Sequence, residues 1–80
     1  MYSINIPINK NYIGYVKGSK NKNIEKIEKT HNSKIKLKYD EIIGSYFKIE
    51  GKYSDVLYSA DEIIHLILCI NRKNLYFRYK

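Results

Sequence analysis

The chain of 80 residues has no tryptophan, one proline and one cysteine. A lone cysteine, Cys69, cannot close an internal disulfide, which excludes a disulfide-stapled secreted domain and favours an intracellular location, nuclear or cytoplasmic. The longest apolar run, residues 63–70, is too short to span a bilayer, so we predict no membrane partner. The first seven residues also lack the basic and apolar regions of a secretory signal peptide.

Positive charge is abundant and unevenly placed. The formal net charge is +7, from 15 basic and eight acidic residues. Residues 1–40 hold nine lysines and three acids, whereas residues 41–80 hold six basic and five acidic side chains. A basic field of this kind attracts polyanions, chiefly nucleic acid or an anionic membrane surface. The alternative is a solvated lysine surface that maintains solubility, and charge alone does not separate the two.

The first half of the chain begins with alternating residues and then becomes helical. Residues 2–7 alternate polar and apolar, which predicts a strand with Ile4 and Ile6 on one face. Residues 9–16 have helical spacing, and Asn9 is a suitable N-cap for a short helix.

A basic glycine turn separates this helix from a second one. Gly18 ends the first helix, and the second starts at Asn21 or Asn23, with Asn23 as the candidate cap. Asn32 stops the second helix just after His31. Backbone N–H groups and lysines of such a turn can meet a phosphate backbone.

The second half predicts two strands and a long helix. Residues 33–39 place apolar side chains on one face and lysines on the other, and residues 46–50 alternate again. Ser54 is a good N-cap for the last helix, whose inward stripe comprises Val56, Ser59, Ala60, Ile63, Ile64, Ile67 and Leu68. A chain of this length permits one core. We therefore predict one α+β domain at residues 1–70, in the order β-α-α-β-β-α, with the helices on one face of the sheet.

These landmarks resemble a KH (K-homology) domain of type I over nearly the whole chain, from Ile4 to about Leu68. The family reads apolar-Pro at the end of its first strand, then apolar-Gly-x-x-Ile-Gly-x-x-Gly-x-x-Ile-x-x-Ile, then a strand. The corresponding positions here are Ile6-Pro7, Ile13-Gly14, Gly18, Ile24, Ile27 and Ile35-Lys36-Leu37, with Gly51 and Val56 at the last strand and helix. The resemblance implies a three-stranded antiparallel sheet with three helices packed on one face.

The resemblance also implies a site for about four nucleotides of single-stranded RNA or DNA at the glycine turn and the apolar groove beside it. The predicted contact residues are Gly14, Tyr15, Val16, Lys17, Gly18, Ser19, Lys20, Asn21, Lys22, Ile24, Ile27, Lys34, Ile35, Lys36 and Leu37. For the isoleucines the alternative role is the core, because a small domain needs every apolar side chain it has. For Lys34 and Lys36 the alternative is a solvated strand surface.

Two positions depart from the family pattern. Asn21 replaces the second glycine of the Gly-x-x-Gly loop, and asparagine tolerates the left-handed conformation that such a turn needs. Lys17 replaces an apolar groove residue, and its long side chain either shortens the groove or extends towards phosphate. These departures motivate an alternative function, a divergent KH domain that serves protein interaction or assembly and binds little nucleic acid.

The pattern favours a binding module over an enzyme. His31 and His65 lie in different elements, and no Cys, Asp or Glu cluster accompanies either at ligand spacing, so we predict no zinc site and no cofactor. No Walker loop, dinucleotide fingerprint or Ser-His-Asp set is present.

Residues 71–80 form a separate tail in this interpretation. Their pattern after a polar link predicts a strand from Leu75. This strand is either added to the edge of the sheet or is the first strand of a following domain. The tail is also a predicted surface for protein partners. A similar tail follows the KH module in the activating signal cointegrator subunit that carries a 2H phosphoesterase-like domain.

Overall fold

The computed structural model describes the backbone of residues 1–78 and the side chains of residues 1–70. Its main elements are β1 (Tyr2–Pro7), α1 (Ile13–Lys17), α2 (Lys22–His31), β2 (Lys34–Asp40), β3 (Gly44–Gly51) and α3 (Tyr53–Arg78), with short 3-10 turns at Lys10–Tyr12 and Ser19–Asn21. The predicted order and the α+β class are confirmed. This is the arrangement that the resemblance to a type I KH domain implied.

The three strands form one antiparallel sheet in the order β1-β3-β2. Ile49 on the central strand lies between Ile4 and Ile35, and Phe47 lies between Ile6 and Leu37. α3 packs against β1 and β3, and α2 packs against β2, so the helices cover the face that carries these apolar side chains. No described helix packs on the other face of the sheet, which we call the open face. The buried core consists of Ile6, Ile8, Val16, Ile24, Ile27, Ile35, Phe47, Ile49, Val56, Ala60 and Ile63.

The helix ends follow local chemistry. The Asn9 side chain accepts a hydrogen bond from the Asn11 backbone N–H at 2.9 Å, which confirms the predicted cap. Gly18, at φ 75°, ends α1, and Asn32, at φ 52°, ends α2. The cap assigned to Asn23 is wrong, because α2 begins at Lys22 after Asn21, and Asn23 lies inside its first turn.

The prediction for α3 overextends its buried stripe. Val56, Ser59, Ala60 and Ile63 are buried as predicted. Ile64 and Leu68, however, are 45% and 51% exposed. Successive helical residues are about 100° apart, so a helix that turns Ile63 towards the sheet turns its neighbour Ile64 away.

The tail also differs from the prediction. α3 continues through Arg78, so residues 75–78 form no strand at the sheet edge, and that prediction is wrong. No proline or glycine between residues 53 and 78 interrupts the helical hydrogen bonds. The side chains of the tail and its last two residues lie outside the described part of the chain, so a following domain and protein partners there stay predictions, as does the boundary at residue 70. Within the described residues, no helix combines the length and apolar character that crossing a membrane requires.

A buried pair of hydroxyl groups joins α3 to the junction between α2 and β2. Ser33 Oγ and Ser59 Oγ lie 2.6 Å apart, and both residues are buried. Each hydroxyl satisfies the other, which allows two polar groups inside the core. The pair therefore fixes the position of α3 relative to the start of β2.

We expect Ser59→Ala to lower the free energy of unfolding by about 1–3 kcal/mol, because Ser33 keeps a buried hydroxyl without its partner. The double variant Ser33→Ala with Ser59→Ala should lose less than the sum of the two single variants, since it removes both polar groups. Urea denaturation followed by circular dichroism measures the four proteins of this cycle. Strictly additive losses would contradict the coupling.

Candidate nucleic-acid interface

The turn between α1 and α2 has an unusual backbone. Gly18 adopts φ 75° and ψ 172°, a conformation that is open essentially only to glycine. Lys20 and Asn21 follow in the left-handed region at φ 54° and φ 63°. The Asn21 N–H donates to the Gly18 carbonyl at 3.1 Å, which closes the turn. The expectation that asparagine sustains the turn in place of glycine is confirmed.

Asn23 holds this turn against α1. Its side-chain amide donates to the Tyr15 carbonyl at 3.3 Å. A Cβ added to Gly18 would lie 2.8 Å from Asn23 Cγ, so the amide occupies the space that the missing side chain leaves. Sequence reasoning missed this role, since an asparagine in a first helical turn gives no signal of a contact eight residues back.

The surface around the turn is strongly positive. Lys17, Lys20 and Lys22 lie in or beside it, and no acidic residue precedes Glu25 in the chain. Among the residues whose side chains are described, the ion pairs within 4.0 Å are limited to His31 with Glu62, at 3.0 Å. The Asn21 side chain makes no capping bond, so the first-turn N–H groups of α2 are left without a capping side chain. The arrangement suits an anion.

β2 borders the other side of the candidate site. It is an edge strand, so one side of its backbone has no neighbouring strand within the described chain. The Ile35 N–H donates to Glu28 Oε2 at 2.9 Å instead of to β3. Antiparallel strands alternate between residues that bond to their neighbour and residues that point outward. Leu37 and Tyr39 therefore also present their backbone N–H and C=O groups to the open edge.

We call the surface between the glycine turn, α2 and the open edge of β2 the groove. Only two residues separate α2 from β2, so β2 returns beside the helix from the contact of Glu28 with Ile35. From that contact the helix leads back about 9 Å to the glycine turn, six residues at about 1.5 Å each. The strand leads in the same direction to Leu37 and Tyr39, which are 41% and 73% exposed.

The structure divides the predicted contact residues into four groups. The first group is exposed or half-buried and lies at or beside the glycine turn: Gly14, Tyr15, Lys17, Gly18, Ser19, Lys20, Asn21 and Lys22. The second group is buried in the core: Val16, Ile24, Ile27 and Ile35. Leu37 is exposed on the helix side of β2. Lys34 and Lys36 alternate with buried Ile35, so their side chains leave the opposite face of the sheet and the fold does not bring them to the groove. Contact of any of these residues with nucleic acid stays a prediction.

Sequence reasoning missed the exposed isoleucines of the turn between β2 and β3. Ile42 and Ile43 are 93% and 56% exposed there, next to Tyr39. Asp40 Oδ1 accepts from the Ile42 N–H at 2.7 Å and the Ile43 N–H at 3.2 Å, which fixes the turn. Two isoleucines between an aspartate and a glycine were the available signal.

Among the described residues, no three His, Cys, Asp or Glu side chains come together as a metal site would require. His31 instead pairs with Glu62 and stacks on Tyr58, with ring centroids 5.7 Å apart.

Comparison with known proteins gives one family match. A family model described as KH domain matches residues 3–64, from β1 into α3. The matched segment contains the glycine turn, the groove and all three strands. No curated protein matches the chain.

Gly18 and Gly14 provide a matched test of the turn. Gly18→Ala should lower the free energy of unfolding by about 1–3 kcal/mol, because alanine cannot relax in this backbone conformation and its Cβ meets Asn23. Gly14→Ala should raise it by up to about 1 kcal/mol, because Gly14 is helical and a Cβ there has nothing within 4 Å. Urea unfolding of both variants checks the prediction, and equal effects would contradict it.

Proposed function

The chain belongs to the KH domain family, which is a family of nucleic-acid-binding modules, and we propose that it binds single-stranded RNA over about four nucleotides. The observation that carries the proposal is the positive glycine turn beside the open edge of β2. The choice of RNA over DNA rests on the family. The proposal includes no catalytic step.

The glycine turn supplies the phosphate contacts in this proposal. Gly18 has no side chain, so the sugar-phosphate chain can approach the backbone closely. The positive end of the α2 dipole and the ammonium groups of Lys20 and Lys22 favour negative charge at this point. These contacts position the strand and do not depend on its sequence.

The β2 edge supplies the base contacts. The bases lie over exposed Leu37 and Tyr39, where an aromatic ring can stack on any base. The outward N–H and C=O groups of these residues bond the base edges. Glu28 already occupies the N–H of Ile35, so base reading starts beyond that point on the strand.

We expect the double change Lys20→Asp with Asn21→Asp to abolish most of the affinity, because it makes the turn anionic. Aspartate accepts the left-handed backbone at both positions, so the fold is retained. If about three phosphates are neutralised in the unaltered protein, log K falls with log salt at a slope near −2, at roughly 0.7 per contact. Fluorescence anisotropy with short labelled RNA measures both quantities.

The chain offers a matched control for this change. Lys10→Asp with Asn11→Asp alters the same two residue types with the same change in charge, at the other end of α1. Its affinity should fall much less. Equal losses in the two variants would show that only net charge matters, and unchanged binding by the Lys20 and Asn21 variant would exclude the turn as the phosphate site.

Tyr39→Ala should weaken RNA binding by about 1–3 kcal/mol if one base stacks on the ring. Its melting temperature should stay within experimental error, because the side chain is largely exposed. Tyr58→Ala, at an exposed tyrosine on α3, is the control and should leave affinity unchanged. Isothermal titration and thermal unfolding give the two readouts. Loss of affinity in both variants would argue against a specific stack.

A further inference from the structure

The open face of the sheet carries a group of lysines that the groove does not use. Lys34, Lys36 and Lys38 leave β2 on this face, opposite the face that buries Ile35. Lys48 leaves β3 on the same face, because its neighbours Phe47 and Ile49 are buried against the helices. We call these four side chains the sheet lysines.

Two of the sheet lysines face each other directly. Lys36 is the register partner of Lys48, whose other partner is Asn5 on β1. Side chains in such positions have Cβ atoms about 5 Å apart, and like charges there destabilise the sheet. No acid stands in this row of the sheet. The fold therefore holds two positive charges together without a counter-charge of its own.

The acids of this face compensate the lysines only in part, because Glu50 stands opposite Lys34 and not opposite Lys36 or Lys48. Glu50 lies between Lys34 and Ser3 in the register, and Asp40 uses its carboxylate on the turn after β2. Among the described side chains, no carboxylate comes within 4.0 Å of any sheet lysine. The surface is open to an anionic ligand from solution.

The geometry of the sheet lysines suits a phosphate chain. Alternate residues of a strand are about 6.8 Å apart, so three ammonium groups follow β2 at a spacing close to that of successive phosphates in an extended strand. The rest of this face includes Ser3, Asn5, Pro7 and Tyr46 with the acids Asp40 and Glu50, which offers little apolar surface for insertion into a membrane. β2 also borders the groove along its other side.

We propose that the sheet lysines form a second nucleic-acid surface, which binds the phosphates of the strand segment that leaves the groove and crosses the β2 edge. The path over the edge rests on the proposed function. The contacts on the open face are sequence-independent and sensitive to salt. They engage only a nucleic acid longer than the groove accommodates.

The test uses Lys36→Gln with Lys48→Gln and two RNA probes, a randomised 4-mer and a randomised 12-mer. The unaltered protein should bind the 12-mer more tightly and with a steeper salt dependence. In the variant the 12-mer should bind several-fold more weakly, with the slope reduced by about 1.4, at roughly 0.7 for each lost contact. The 4-mer should bind both proteins equally. Fluorescence anisotropy at several salt concentrations gives these values.

Two controls separate this effect from charge and from stability. Lys26→Gln with Lys29→Gln removes the same charge from the exposed surface of α2 and should leave the 12-mer slope nearly unchanged. The sheet variant should melt no lower than the unaltered protein, because it removes a like-charge pair. Weaker binding by an equally stable variant cannot come from unfolding.

The outcomes distinguish this inference from the proposed function. Equal 12-mer binding by the sheet variant and the unaltered protein would overturn the second surface and leave the groove intact. If binding of the 12-mer depends on Lys36 and Lys48 and the 4-mer does not bind at all, the result would support the second surface and contradict binding in the groove. Tighter binding of polyglutamate than of the 12-mer, lost in the same variant, would overturn the assignment to nucleic acid.

Discussion

Burial of Phe47 and Ile49 on the central strand is the constraint on which the rest of the structure depends. Both side chains are almost fully buried, and each lies between apolar partners on the two outer strands. Because side chains of a strand alternate, turning these two residues towards the helices turns Lys48 to the opposite face. The same register places Lys36 beside it. The burial of these two side chains thus determines both the core and the position of the lysines on the open face of the sheet.

The groove lies beyond the point where the helices pack against β2. α2 is attached to β2 through Glu28 and the Ile35 N–H, and α3 is attached to the same junction through Ser33 and Ser59. Beyond those contacts no described residue covers β2, so Leu37 and Tyr39 stay exposed and their backbone groups stay outward. The opposite wall is the glycine turn, which Asn23 holds against α1. The fold therefore leaves two surfaces, the glycine turn and the β2 edge, whose backbone groups are available for further hydrogen bonds.

The cations that the structure describes on these surfaces are all lysines, and both arginines of the chain lie beyond residue 70, outside the described side chains. An ammonium group binds phosphate as a point charge and lacks the fixed double donor with which arginine recognises a base edge. In the proposed function, the phosphate contacts are therefore tolerant of sequence. Selectivity for particular bases depends, in the same proposal, on the few backbone groups of β2 beyond Ile35.

The sequence by itself determined the elements and most of their ends. Period-two alternation located all three strands, and Asn9, Gly18 and Asn32 marked helix ends because their preferences act within a few residues. It also identified the glycine turn, where Gly18 has a conformation that other residues rarely adopt. The sequence prediction was wrong for the end of α3, because nothing in residues 71–78 stops a helix and only the structure shows that the helix continues.

Only the tertiary structure decided which surfaces share a site. Alternation already put Lys34 and Lys36 on the face opposite Ile35, and the packing of the helices decided that this face lies away from the groove. The contacts of Glu28 with Ile35, Asn23 with Tyr15 and Ser33 with Ser59 join residues seven, eight and 26 positions apart. Local patterns carry no information on such pairs, because their geometry exists only after the helices have packed on the sheet.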